Sequence, residues 1–245
     1  MSFASSEHSP SVGVVAALAA EARQLGPAAR GGDGLSERPG AARVAVTGIG
    51  SAAAAEGARR LVAAGCRSLA SFGLAGALDP SLAAGAIVLP EEVVLAGGAS
   101  LRTADEWRAR AVRALEALDR PVACGKLLTS ARALGSVAGK ASAFAASGAV
   151  AVDMESFAVA QVAAASGLPF IAVRAIVDTA EDEVPPALAT AANEAGELSV
   201  GRILGRLAVH PSGVAALVRL AARYRAAIRA LRAVAAAGVL TAYRA

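Results

Sequence analysis

The sequence predicts an α/β fold, a central mixed β-sheet flanked by α-helices, with a C-terminal amphipathic helix. Three observations lead there. Short apolar runs of strand length alternate with longer stretches of helical composition. Several of these runs end in glycine-rich turns, as strands do where an α/β sheet passes the chain on to a helix. The hydrophobic content of 56% with only 3% aromatic describes a core built from Ala, Val and Leu, ample for a globular fold.

Residues 2–11 read as a disordered lead. Residues 12–17 are a buried strand, followed by a helix carrying Glu21, Arg23 and Gln24. Residues 31–40 form a polar loop marked by Gly and Pro. Residues 43–47 are a second strand, ending in Gly48-Ile49-Gly50-Ser51, and residues 52–64 a helix. Residues 69–72 are a third strand, ending in a turn at Gly73-Leu74-Ala75-Gly76. Residues 86–89, 122–128 and 149–152 read as further strands, and 104–118 as a charged amphipathic helix. Residues 153–166 read as a helix stopped by Gly167-Leu168-Pro169, since Gly supplies a left-handed cap and Pro cannot continue the helix. Residues 170–177 are a buried strand. The expected division is 1–11 lead, 12–197 one domain, and 198–245 an Arg-rich helical extension.

The net charge of +4 is unevenly placed. Residues 198–245 hold eight Arg and no acid, so residues 1–197 carry −4. Basicity confined to one stretch is no general nucleic-acid signal, and no nucleic-acid partner is expected. Cys66 and Cys124 form no framework and read as reduced core residues of a cytosolic protein. The first residues lack the basic segment of a signal peptide, and no run reaches the roughly 18–20 apolar residues of a spanning helix. The expected location is the cytoplasm, with at most peripheral contact on the inner face of a membrane.

Chemistry concentrates in residues 151–180, where Asp153, Glu155 and Asp178 lie at the edges of apolar elements. Carboxylates there are costly unless paired or used. Plainer readings exist for Asp153 as N-cap of the following helix, for Asp178 as cap of the next turn, for Arg174 as ion-pair partner of one of these acids, and for Glu21 as a helix-surface acid. GIGSAAAAEG is not a GxGxxG fingerprint, so Gly48 and Gly50 mark either a tight turn or close backbone approach to a small ligand. Walker, HExxH and GxSxG patterns are missing, and His8 and His210 read as solvent-exposed. No metal and no cofactor are expected.

Taken together, GVVAALAAEARQL, VAVTGIGSAAAAEGARRL, SFGLAGALDPSLAAGAIVLPEEV, AVDMES and VRAIVDTA resemble, in family order over residues 12–182, the nucleoside phosphorylase and nucleosidase superfamily that includes methylthioadenosine/S-adenosylhomocysteine nucleosidase. The resemblance implies a nucleoside phosphorylase-like fold, a homo-oligomer, and cleavage of the N-glycosidic bond of a purine nucleoside. It implies Asp178 as the acid that protonates the leaving purine or holds N7 protonated, and Glu21 as the carboxylate that activates water. Glu155 would accept the ribose hydroxyls, with Met154 packed on the sugar. Ala75, Gly76 and Ser130 would line the base or its loop. The chemistry agrees, because an oxocarbenium-like state needs one group to help the base leave and another to prepare the nucleophile.

Departures from the pattern narrow the reading. Phosphorolytic members hold phosphate with residues for which this chain has Ser71 and Leu74, and Glu21 stands where another phosphate-binding Arg would be. Hydrolysis is therefore expected, with phosphate as co-substrate in the alternative and Arg23 or Arg59 as its source of charge. The aromatic that stacks on adenine is missing near Ala133–Leu134. The DTAEDEVPP segment, the SFGLAG turn and the Arg-rich end resemble the hopanoid-associated phosphorylase branch, assigned to adenine removal from adenosylhopane to give ribosylhopane. The alternatives are a soluble nucleosidase and, in another class, a catalytically silent membrane-associated binding protein. Ser212 is expected to cap a helix over residues 212–237, with Val214, Leu217, Val218, Ala221, Tyr224, Ile228 and Leu231 on one stripe. Its arginines are either solvated or attracted to anionic lipid, giving peripheral membrane contact through 212–237.

Overall fold

The computed structural model describes residues 12–30, 34–38, 42–184 and 211–240, the last without side chains before Arg219. The expected lead, His8 and His210 lie outside the described residues.

The chain alternates as predicted, beginning with β1 (Val12–Ala16), α1 (Ala19–Ala22), β2 (Ala29–Arg30), β3 (Ser36–Arg38), β4 (Ala42–Val46), α2 (Ser51–Ala63) and β5 (Ser68–Ala77). It continues through β6 (Ile87–Val88), β7 (Glu92–Leu95), β8 (Ser100–Arg102), α3 (Asp105–Glu116), β9 (Val122–Ala123) and β10 (Lys126–Thr129). The last elements are α4 (Val137–Ser147), β11 (Ala149–Asp153), α5 (Ser156–Ala165), β12 (Phe170–Asp178) and α6 (Pro211–Ala236). The described strands form one mixed sheet with the order β2-β3-β4-β1-β5-β11-β10-β7-β8, while β12 pairs with β5 and β6. Strands β4, β1, β5 and β12 run parallel, so their C-terminal ends open on one edge. That edge is where an α/β sheet offers ligand sites.

Several elements differ from the expected ones for physical reasons. Residues 73–76 continue β5 instead of turning, because β12 supplies ladder partners from Phe170↔Leu69 through Asp178↔Gly76. The run 122–128 is two strands, broken where Gly125 takes φ 105. The 31–40 region contains β3, paired antiparallel to β4. The helix expected from residue 153 begins at Ser156, and Asp153 completes β11. Residue 212 lies inside α6, which starts at Pro211.

The helical end is part of the protein's main core. Ala227, Leu231 and Val234 of α6 are buried in the same cluster as Val12, Val14 and Phe72. Trp107 of α3, itself buried, donates its indole N–H to Val239 O at 2.8 Å just beyond α6. Of the expected stripe, Leu231 is buried in this core and Ile228 packs against it, Ala221 and Tyr224 are half-buried, and Arg219, Arg225 and Arg229 are exposed. Among the described residues no helix is long and apolar enough to cross a membrane. Cys66 is buried and Cys124 half-buried, and neither is in a disulfide.

Candidate active site

The strand ends enclose a cavity of about 190 Å³. Glu21, Glu155 and Asp178 all line it, together with Asp153, Met154, Ala75, Gly76 and Leu74. Three separate segments thus bring the expected catalytic and sugar-binding side chains to one place. Ser130 is not among the lining residues; its hydroxyl donates to Arg132 O at 2.7 Å and its amide to Asp153 O at 2.8 Å.

Glu21 is buried, contrary to the surface alternative. Its Oε2 accepts the Leu18 amide and its Oε1 the Leu74 amide, each at 2.9 Å. Residue 73 must be glycine for this approach, since a Cβ there would lie 2.6 Å from Glu21 Oε1. Burial pushes the Glu21 carboxyl up, and the backbone amides and Arg174 pull it part of the way back. A carboxylate raised in this way is more basic than an ordinary one, and so the better proton acceptor.

Glu155 stands at the N-cap of α5, yet its carboxylate makes no cap bond to that helix. Asp153 takes over that work, its Oδ2 accepting the Ser156 amide at 3.0 Å. Glu155 is thereby free to reach across the site, where Oε1 accepts the Gly50 amide at 2.8 Å, 105 residues away in sequence. The turn after β4 thus meets this carboxylate with its backbone at Gly50, whose φ of 108 is a conformation that favours glycine. Burial and the neighbouring Asp153 charge raise the Glu155 carboxyl to about 7, against the opposing pull of Arg174 and the Gly50 amide.

Asp153 does more than cap. Arg174, buried in β12, donates Nε and Nη2 to Asp153 Oδ2 at 2.9 and 2.6 Å, and Nη2 also to the Ser71 and Ser156 hydroxyls. Thr129 Oγ1 donates to Asp153 Oδ1 at 2.7 Å and accepts the Phe157 amide. This fully hydrogen-bonded pair ties β5, β10, β11, α5 and β12 together below the cavity. The Ser71 hydroxyl is committed to it.

Asp178 ends β12 against Gly76, where a Cβ would meet its Oδ2 at 2.9 Å. Its Oδ2 accepts from Lys140 Nζ at 2.5 Å. Lys140 was not anticipated from sequence. The available signal was that only Lys126 and Lys140 are lysines in a chain with 22 Arg, and Lys140 sits in an otherwise small and apolar helix. Burial raises the Asp178 carboxyl, with Lys140 opposing.

The rest of the lining is aliphatic, including Ile49, Leu134, Val152, Val177 and Val184, with no aromatic among the described residues. Arg132 is the one basic residue among them. Arg23 and Arg59 do not line the cavity; Arg59 pairs with Glu56 on the surface of α2. No group of His, Cys, Asp and Glu suited to a metal ion occurs among the described residues.

The same architecture is found in solved structures. The methylthioadenosine/S-adenosylhomocysteine nucleosidase of Neisseria meningitidis, in complex with methylthio-immucillin-A, matches with a TM-score of 0.70 at 20% identity, covering 96% of this chain and 100% of that one. The S-adenosylhomocysteine nucleosidase of Streptococcus pyogenes, in complex with 5-methylthiotubericidin, matches at 0.63 and 23% identity over 72% of this chain and 87% of the other. Futalosine hydrolase of Helicobacter pylori matches at 0.61 and 18% identity over 70% and 89%. Comparison with curated proteins gives no match. At these identities the structural matches speak for the fold, a mixed sheet flanked by helices as in the nucleoside phosphorylases and nucleosidases. Residues 39–208, more than half of the chain, match the phosphorylase superfamily, and the chain belongs to that family.

Proposed function

We propose that the protein hydrolyses the N-glycosidic bond of a purine nucleoside. The observation that carries this reading is the convergence of Glu21, Glu155 and Asp178 on one cavity with both oxygens of Glu21 fixed by backbone amides. Water attacks C1′ of the sugar and gives its proton to Glu21. The C1′–N9 bond breaks with its electron pair passing to the purine, and Asp178 gives a proton to N7. Glu155 accepts hydrogen bonds from the ribose hydroxyls, Met154 packs on the sugar, and the Glu155 charge favours the cationic sugar of the transition state.

Water is favoured over phosphate as the nucleophile by the charges of the lining. Glu21 and Glu155 face the cavity with Arg132 as the only basic residue of its lining among the described residues, and Ser71 is held by Arg174. An acidic cavity repels a phosphate dianion.

The finer reading is release of adenine from adenosylhopane to give ribosylhopane. It is supported by the aliphatic lining and by Ile49, which is 41% exposed on the lip of the cavity, as a lipid-linked substituent would require. The exposed Arg219, Arg225 and Arg229 of α6 suit a peripheral protein on an anionic surface. Assembly into a homo-oligomer belongs to the same reading. The solved relatives, with nucleoside analogues bound, favour instead a soluble methylthioadenosine/S-adenosylhomocysteine nucleosidase as the second reading.

Release of free base from a panel of purine nucleosides, including a lipid-linked adenosine, tests these readings. Activity without phosphate is expected, and a strict phosphate requirement overturns hydrolysis. Full turnover of methylthioadenosine in the absence of lipid overturns the hopanoid assignment.

A further inference from the structure

Lys140 of α4 has no exposed surface, and its Nζ lies 2.5 Å from Asp178 Oδ2, 2.7 Å from Thr179 O and 3.0 Å from Asp182 O. Three acceptors around one nitrogen call for three N–H donors. The side chain is therefore an ammonium, because a neutral amine would turn its lone pair on one of these oxygens. Carbonyls alone would suffice to tie down the loop after β12, which is already docked by Val184 N to Gly135 O and by Glu183 Oε1 accepting the Val137 amide. Yet the shortest of the three bonds goes to the carboxylate at the end of β12.

We propose that Lys140 is a positioning residue for departure of the base, fixing Asp178 by one oxygen and stabilising the carboxylate that forms there as its proton passes to the purine. This rests on the nucleoside-cleaving reading above. Before the transfer Asp178 is a neutral acid beside an ammonium. Afterwards the proton is on N7, the C1′–N9 electron pair is on the purine, and Asp178 and Lys140 form an ion pair. Lys140 keeps its own proton throughout. An interaction that strengthens as charge develops raises kcat and leaves substrate affinity little changed.

The charged groups facing Asp178 are Lys140 from α4, Asp182 from the following loop and Arg223 from α6. Arg223 and Asp182 are paired to each other at 2.5 Å, so Lys140 is the cation whose charge is directed at Asp178. Burial pushes the Asp178 carboxyl up and Lys140 opposes it, which keeps a desolvated acid able to give its proton away.

The test compares full-length wild type with Lys140→Met and Lys140→Ala for base release across pH. In Lys140→Met we expect kcat to fall on the order of 10²-fold with KM changed less than about twofold, a size typical of general acid catalysis. Its fall in activity at high pH should move to higher pH, because Asp178 then holds its proton longer. Added ethylammonium should restore part of the kcat of Lys140→Ala. Wild-type kcat and pH profile in Lys140→Met overturn the proposal, as does a loss of kcat with an unmoved profile and no rescue. If the variants do not fold, NMR of the wild type decides: the Lys140 ammonium signal is expected to shift with the Asp178 carboxyl titration, and independent titration overturns the pairing. Absence of base release from every nucleoside by wild type would instead count against the cleavage reading, and the same NMR titration would still judge Lys140.

Discussion

Gly73 and Glu21 occupy the same space from two directions: a side chain on one excludes the carboxylate of the other. A Cβ at residue 73 would stand 2.6 Å from Glu21 Oε1 and 2.8 Å from its carboxyl carbon. Gly73→Ala is therefore expected to displace the carboxylate proposed to activate water and lower base release by about 10²-fold or more. Overpacking of this kind costs on the order of 1–3 kcal/mol, so the variant should still fold. Turnover measured beside a thermal melt checks this: a well-folded variant with wild-type turnover would remove Glu21 from the reaction.

The buried pair Arg174–Asp153 makes a second expectation. Arg174→Met leaves the Asp153 carboxylate buried without its cation and should cost about 3–5 kcal/mol. The double variant Arg174→Met/Asp153→Leu should recover part of that loss, as no isolated charge remains. Denaturant unfolding of the two variants against wild type measures the difference. Equal stabilities for both would mean that the pair is not coupled.

Stability should also depend on pH through Glu155. Its folded carboxyl is raised to about 7 from an ordinary 4.5, so between those values the folded state holds the proton that the unfolded chain has lost. The associated stabilisation is fully present below about 4.5 and fades as pH rises through 7; integrated over that window it is on the order of 3 kcal/mol. Glu21 and Asp178, also raised, act in the same direction. The ligand-free protein should thus melt at lower temperature at about pH 8 than at about pH 6, and Glu155→Gln should flatten that slope. A slope unchanged in Glu155→Gln would place the titration elsewhere.

Helix α6 sets the last expectation. Because Ala227, Leu231 and Val234 are buried with β1 and β5, a chain shortened before Pro211 should not remain soluble and folded. Leu231→Ala alone should cost about 2–5 kcal/mol. The membrane role is better approached through the exposed face: Arg219, Arg225 and Arg229 together changed to Ala should melt within a few degrees of wild type. Liposome flotation with anionic vesicles then reads their contribution, and equal flotation of both proteins would remove it.

Much of this was legible in the chain. The strands of β1, β4 and β12 show as apolar runs, and the acids at their edges mark the site because a carboxylate beside a buried strand needs a reason. What could not be read depends on partners distant in sequence. Gly73-Leu74-Ala75-Gly76 looks like a turn until β12 is laid alongside it; only then do the glycines become the clearance for Glu21 and Asp178. The single apolar run at 122–128 gave no sign that Gly125 would break it. Helix α4, rich in Ala, Gly and Ser, has too weak an apolar face to announce itself. Lys140 does not stand out in the sequence because the loop that buries it arrives 38 residues or more later. Asp153 reads as a cap in the sequence, and its larger part, as counter-ion to Arg174, needs the fold to bring β11 and β12 together.

The core that holds α6 also constrains when the protein can finish folding. Val12 and Leu240 belong to one cluster, so its earliest and latest members are separated by nearly the whole chain. During synthesis the first strands leave the ribosome long before the helix that completes their packing. The nascent sheet must then wait with apolar surface uncovered, and assembly of such distant contacts is slow. A refolding rate limited by docking of α6 is the expected outcome.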